Sequence, residues 1–423
     1  MFNRNFSILL FGRILTNLAD SLYFIAGMWL VYELTENPFY TGLAGFLISI
    51  PIALQFLLGP FIDKWNLKKI LIFTQLLQAI LLLVIPLLDY YNNLHVVTLL
   101  ILMPIISLIQ QFTYPTQNVI LPKILDEEHF VKANSIMMFA YQGIDILFTI
   151  ASGIVILKFG AINMLICSSI LFFISTFIYL IIKIPEEKDS YEVMSFKLFL
   201  NEYKMELFEG YVFIKKSFIP KFLIGSLVAN FLLGAVTANL PSYAAFKGSE
   251  AYYAYYLAAL STGLLLGTLI SFYLSKIGLG KLTVVGFFIS GALGLIAAFS
   301  SNLYVSIVTF GLSQIMPGAT GVLFLSVLQK NLPENYLGRV FSFINSFTML
   351  AAPLGALFGG IFISIVGTEY LLHLVMVSMF FVSMYWLVSP LLRNLPGIDH
   401  FEAERYGLNI NEDTKVEYSG STS

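Results

Sequence analysis

Long apolar runs separated by short polar breaks set the rhythm of the chain. Runs centre on residues 8–33, 41–62, 70–88, 96–118, 131–157 and 162–184, and six more fall at 219–244, 251–275, 282–300, 303–328, 338–366 and 371–392. A helix needs about 20 apolar residues to cross a bilayer. The pattern therefore predicts an all-α integral membrane protein with twelve transmembrane helices in two six-helix bundles, one over 1–185 and one over 218–393. Between them, residues 186–217 form a polar linker. Within it Phe196, Phe199, Leu200, Tyr203, Leu207 and Ile214 recur near the helical period with Lys and Glu between, as expected of an amphipathic helix in the inner membrane interface. Phe199, Tyr203 and Leu207 are expected to face lipid or the underside of the bundle, with Lys197, Lys204 and Glu206 toward water. Residues 394–423 are polar and acidic and are expected to be a disordered tail.

Composition excludes a soluble globule. The chain is 58% hydrophobic and 11% charged, where soluble domains carry about 25% charged residues. The placing of cations then sets orientation. With the N-terminus inside, only Lys158 and Lys247 of the 23 Lys and Arg fall in outer loops, and only Arg13 lies within a span. Retention of short basic loops on the cytoplasmic side puts both termini there, in the cell membrane. Arg4 is followed by a long first run containing polar residues and no small-residue cleavage site, so that span is expected to be retained. Cys167 is the single cysteine, which leaves no intramolecular disulfide.

The break between the second and third runs reads Gly59-Pro60-Phe61-Ile62-Asp63-Lys64-Trp65-Asn66-Leu67-Lys68-Lys69. A small residue, a carboxylate at a helix end and then several cations resembles the loop between helices 2 and 3 of major facilitator superfamily transporters. Asn66 stands where that family usually has a second Gly, and Leu67 where it has a basic residue. Three further segments sharpen the resemblance. They are Leu18-Ala19-Asp20-Ser21-Leu22-Tyr23 with Trp29-Leu30-Val31-Tyr32-Glu33-Leu34-Thr35; then Phe112, Pro115, Asn118 and Pro122; and Tyr336-Leu337-Gly338-Arg339-Val340 with Pro353-Leu354-Gly355 and Gly359-Gly360. Together they resemble the macrolide-efflux branch, which includes enterobactin-type siderophore exporters.

That resemblance implies two bundles around a central cavity, alternating access, and proton-driven export of an amphiphilic organic molecule such as a macrolide or a siderophore. The implied partners are the small-molecule substrate, protons and the lipid bilayer; a monomer is expected, without nucleic acid or cofactor. Gly59, Asp63, Lys64, Lys68 and Lys69, with Gly338 and Arg339, form the expected conformational gate. In it Asp63 faces the positive end of the helix that starts near Gly338. Two features of neighbouring drug antiporters are missing. No Lys or Arg occurs between Lys69 and Lys123, and the fifth run carries only Gly143 and Gly153 in place of a Gly-Pro signature.

Ionisable side chains in the hydrocarbon are costly and mark function by default. Arg13 and Asp20 are seven residues apart on one helix face, separated by roughly 10 Å along the axis. Arg13 lies nearer the inner interface, and snorkelling is one reading of it. Asp20 sits near mid-membrane beside Thr16, Asn17, Tyr23 and Phe24, and is the first candidate for proton coupling; Asp145, with Tyr141 and Gln142 near it, is the second. Burial disfavours the charged form of a carboxylate, so a site wetted alternately from each side can take up and release a proton. Candidate cavity residues are Asn17, Tyr23, Phe24, Gln110, Gln111, Tyr114, Gln117, Asn118, Gln142, Asn230, Thr237 and Gln314, because helices 1, 4, 7 and 10 line the cavity in the family's fold. Tyr243, Tyr252, Tyr253, Tyr255 and Tyr256 are expected to be an interfacial aromatic belt.

Other chemistries find little support in the residues. His95, His129, His373 and His400 offer no metal-ligand spacing. Gly280-Lys281-Leu282-Thr283 lacks both the first Gly and the hydroxyl residue of a phosphate loop, so no enzyme is expected and an ion gradient is left as the energy source. Uptake of a metabolite by proton symport and a receptor that moves nothing are the rival readings.

Overall fold

The computed structural model describes residues 3–58, 62, 65–125, 133, 136–137, 139–140, 144–184, 196–215, 217–249 and 251–408, and only helices and turns occur among them. The helices are α1 (Arg4–Thr35), α2 (Pro38–Ala53), α3 (Leu67–Tyr90), α4 (Val96–Gln110), α5 (Thr113–Ile124), α6 (Ile144–Ile181), α7 (Phe196–Ile214), α8 (Ile219–Phe246), α9 (Ala251–Leu274), α10 (Leu279–Phe299), α11 (Leu303–Ser313), α12 (Ile315–Asn331), α13 (Glu334–Val366), α14 (Leu371–Val388) and the single turn α15 (Pro390–Arg393). Asparagines open several of them. The side-chain oxygens of Asn3, Asn37, Asn66 and Asn302 accept from backbone N–H groups that a first helical turn would otherwise leave unpaired.

Ten helices among the described residues are long and apolar enough to cross a membrane, α4 with α5 and α11 with α12 each counting as one. The expected second span is the shorter α2. Much of the start of the expected fifth lies outside the described residues. Its end is marked by Gly160, whose φ of 73° and ψ of 167° break α6 into two spans. Only glycine adopts that conformation without strain.

The chain divides into two compact units. The first holds residues 1–194, 234–261 and 353–371. Small polar side chains tie its helices together: Ser168 Oγ donates to the Ala19 carbonyl, Ser169 Oγ to that of Ala79 and Ser107 Oγ to that of Ile48, each at 2.7 Å. In lipid, close packing and such interhelical bonds hold helices together where the hydrophobic effect does little. Another part of this unit is sealed by small residues. A Cβ on Gly42 would lie 2.5 Å from the Ala356 carbonyl and 2.7 Å from Gly360 Cα, and beside it Thr41 Oγ1 donates to Asn239 Oδ1 at 3.0 Å.

The tyrosines expected at the interface are a correction. Tyr243, Tyr253 and Tyr256 are fully buried within this unit. Tyr253 stacks on Trp29 at 6.0 Å between centroids, and Tyr243 meets Tyr256 edge-on at 5.4 Å. Beside them Gly153 lets α6 close onto Ala254, where an added Cβ would lie 3.0–3.2 Å away. Tyr252 is half-buried and Tyr255 is 42% exposed.

The second unit holds residues 195–233, 262–352 and 372–423. Helix α7 falls within the expected linker and runs antiparallel along the start of α13. Phe213 stacks on Tyr336 at 4.5 Å, Glu209 pairs with Arg339 at 2.8 Å, and Tyr203 Oη bonds Ser346 Oγ at 2.8 Å. Tyr203 thus faces a helix, while Lys204 is exposed; the side chains of Lys197, Phe199 and Glu206 lie outside the described residues. The tail also departs from expectation. Residues 394–408 are folded, because Phe401, Tyr406 and Leu408 bury apolar surface and the segment supplies carbonyls to amides at the starts of α8 and α10. Leu279 N–H donates to Pro396, Gly280 N–H to Leu395 and Phe218 N–H to Tyr406. Residues 409–423 lie outside the described residues.

Candidate functional site

Two expected spans are interrupted at corresponding places in the two halves. The fourth breaks at Gln111 and Phe112, between α4 and α5, and the tenth at Gln314, between α11 and α12. Pro115 and Pro317 follow within a turn, and proline removes one helix hydrogen bond and crowds the carbonyl four residues back. Those carbonyls belong to Gln111, which accepts from Gln55 Nε2 at 3.4 Å, and to Ser313. Paired interruptions of this kind point to where a transporter handles its substrate.

The polar ladder of the fourth span divides into two faces. Gln110, Tyr114 and Asn118 follow at intervals of four, the first two half-buried and the last exposed. Gln111 and Gln117 turn inward. Gln111 Nε2 bonds the Ser107 carbonyl at 3.2 Å, whereas Gln117 Nε2 donates to Tyr179 Oη at 2.8 Å. Gln117 is fully buried, so it is part of the helix packing rather than an open surface.

Around Tyr179 stands a cluster built from α1, α5 and α6. On α1 nearby, Thr16 Oγ1 donates to the Arg13 carbonyl at 2.9 Å. The ring rests on Gly12, where a Cβ would come 2.5 Å from it. Arg13 does not snorkel. It is 4% exposed, and its guanidinium lies 5.4 Å from the centroid of the Tyr114 ring, an arrangement that stabilises a cation away from water. Tyr179 feels the charges of both Arg13 and Asp20.

Asp20 is half-buried, with Oδ1 out of reach of solvent, and its charge also acts on Tyr23. Tyr23 is held by donating to the Met103 carbonyl at 2.9 Å, and Asn17 by donating to that of Ala140. Phe24, on the same helix, is 38% exposed. Of the candidates in this unit, Gln117 meets Tyr179 and Tyr114 meets Arg13, while Asn17 and Tyr23 are tied to the carbonyls of Ala140 and Met103. Tyr179 was absent from the sequence-based set, since a tyrosine near a span end reads as an interfacial anchor; only its seat against Gly12 distinguishes it.

The remaining candidates that the structure describes make local bonds. Thr237 bonds within its own helix to Gly234 at 3.3 Å. In the second unit Asn230 does the same to Ser226 at 2.9 Å, and the buried Gln314 donates to Ser313 Oγ at 2.9 Å. Gln142 and the side chain of Asp145 lie outside the described residues, as do Gly59, Asp63 and Lys64. Lys68 and Lys69 start α3, where Asn66 Oδ1 accepts from Lys69 N–H at 3.0 Å. Gly338 lies in the first turns of α13, and beside it Arg339 is committed to Glu209.

A stack of membrane-length helices with buried charges and paired helix breaks defines a multi-pass membrane transporter. The model of the major facilitator superfamily matches residues 9–352, and the chain belongs to that superfamily. It is 23% identical over 404 residues to macrolide efflux protein A of Streptococcus pyogenes, covering 92% of this chain and 96% of that protein. It is 24% identical over 367 residues to the MFS-type transporter YkuC of Bacillus subtilis (strain 168), covering 83% and 84%. Among solved structures, the nucleoside transporter NupG superposes with a TM-score of 0.66 at 16% identity, over 92% of this chain and 100% of that one. A bacterial homologue of the iron transporter ferroportin in its inward-facing state gives 0.65 at 16% identity, over 91% and 98%. These structures share the fold.

Proposed function

We propose that this protein exports an amphiphilic organic molecule, a drug such as a macrolide or a siderophore, in exchange for protons, with both termini in the cytoplasm. The observation that carries the reading is the half-buried Asp20 on α1, in a chain similar along nearly its whole length to a macrolide efflux protein. Asp20 takes a proton from outside and releases it inside. Substrate competes for the same carboxylate, so the two occupy it in turn. Phe24, Gln110, Tyr114 and Asn118 supply apolar and hydrogen-bonding contacts. Asp145 is the second coupling candidate, and Asp63 acts at the conformational gate.

The test is accumulation of macrolides and of hydroxamate, catecholate and carboxylate siderophores in inverted vesicles, with and without a proton gradient. Gradient-dependent accumulation of at least one, abolished by Asp20→Asn at wild-type expression with binding retained, is the expected result. Gradient-driven transport by Asp20→Asn at the wild-type rate moves the coupling role elsewhere, and accumulation only in right-side-out vesicles replaces export by uptake.

A further inference from the structure

Gln78 lies in the middle of α3, wholly buried, and neither atom of its amide has a hydrogen-bond partner among the described residues. One turn away on the same face, Gln75 Nε2 donates to Thr113 Oγ1 at 3.1 Å, yet its carbonyl oxygen has no partner there, and neither does that of Gln117. Folded chains pair nearly all buried polar atoms, with ordered water where protein groups do not reach. Three glutamines on facing helices with open hydrogen-bonding capacity match water in chemistry, since an amide both donates and accepts.

Their position connects them to the coupling site. Ser168 and Ser169 are consecutive on α6 and bond the carbonyls of Ala19 on α1 and Ala79 on α3. Asp20 follows Ala19 and Gln78 precedes Ala79, so the backbones of these two residues meet α6 at neighbouring levels. From there Gln75 leads to Thr113, and one turn further along α5 Gln117 leads to Tyr179. We propose that Gln78, Gln75 and Gln117 hold a file of water in the core of the first unit, along which the proton of Asp20 moves toward Tyr179.

This rests on the reading of Asp20 as the proton carrier. The carboxyl gives its proton to the nearest water as the carboxylate re-forms, and each water passes one proton on as it receives another. The amides keep the file in register and do not titrate. The charged and titratable groups facing it are Arg13 and Asp20 from α1, Tyr114 from α5 and Tyr179 from α6; α3 has charges only at its ends and α4 has none. Arg13, near the far end, disfavours a proton coming to rest there.

Gln78→Met, which keeps the shape and removes both polar atoms, tests the proposal in the full-length protein in proteoliposomes. Proton-coupled transport should slow on the order of tenfold, the rate equivalent of one lost buried hydrogen-bonding group. The solvent deuterium isotope effect on transport should rise, substrate affinity should be unchanged, and Gln78→Asn should restore part of the rate. Transport at the wild-type rate, or slower transport with an unchanged isotope effect, overturns the water file. If Gln78→Met does not fold, Gln75→Met is read by the same criteria. Asp20→Asn separates the two claims: coupling lost there but untouched in Gln78→Met sinks the water file alone, whereas coupling kept in Asp20→Asn sinks the proton-carrier reading beneath it.

Discussion

Gln117 and Tyr179 are joined by a 2.8 Å hydrogen bond in which the amide Nε2 donates to the phenol oxygen, with both side chains fully buried. That bond links α5 to α6. Tyr179→Phe keeps the ring but leaves the Gln117 donor without its acceptor. A buried group left unpaired costs about 1–3 kcal/mol, so thermal unfolding in detergent should move down clearly. An unchanged midpoint would show that the Gln117 amide finds a new partner.

Gly42 and Gly360 meet backbone to backbone, and backbone cannot swing aside as a flexible side chain can. Gly42→Ala should therefore force α2 and α13 apart, at about 1–3 kcal/mol for overpacking. In a background without Cys167, a cysteine pair at Thr41 on α2 and Asn239 on α8, whose side chains bond beside Gly42, reports whether α2 has shifted from its seat. Disulfide formation should be fast in the parent and several-fold slower with Gly42→Ala; equal rates would mean that the contact absorbs a methyl group.

Helix α7 is held to α13 by shape more than by charge. The Glu209–Arg339 pair is partly exposed and is expected to contribute about 0–1 kcal/mol, so Glu209→Gln should change little. By contrast, a Cβ on Gly210 would sit 2.5 Å from the Arg339 carbonyl. Gly210→Val should release the linker, seen as faster cleavage within residues 186–217 by limited proteolysis. Comparable effects of the two substitutions would give the ion pair the larger share.

The folded tail gives a truncation experiment with a built-in control. A chain ending at Asn394 loses the buried Phe401, Tyr406 and Leu408 and the carbonyls that receive the amides of Leu279, Gly280 and Phe218. Its unfolding midpoint should fall by several degrees, as expected for a loss of a few kcal/mol. A chain ending at Leu408 should melt with the full-length protein. Equal midpoints for all three would make the strap a passive covering.

Much of the architecture was legible in the hydropathy pattern, because spacing between polar breaks reports membrane-length helices whatever their neighbours. The linker helix was legible from the period of Tyr203, Leu207 and Ile214. The tail was misread at 394–408, since Phe401, Tyr406 and Leu408 are too few for a composition signal and gain their meaning only from the helix ends they cover. Asp20 stood out because a carboxylate in a hydrophobic run is costly whatever surrounds it. Gln78 and Tyr179 did not, as a lone glutamine or tyrosine in a span is cheap enough to have many explanations.

By itself the sequence determined that this is a multi-pass helical membrane protein, where its polar breaks fall, and which spans carry charge. Those properties follow from composition and from one-dimensional order. Only the tertiary structure decided that Arg13 lies buried beside Tyr114, that Gln117 belongs to Tyr179 and not to an open face, and that Tyr243, Tyr253 and Tyr256 are core rather than belt. The reason is geometric: in a bundle every helix has several faces, and which face meets which neighbour depends on contacts between residues far apart in the chain, as between Gly12 and Tyr179.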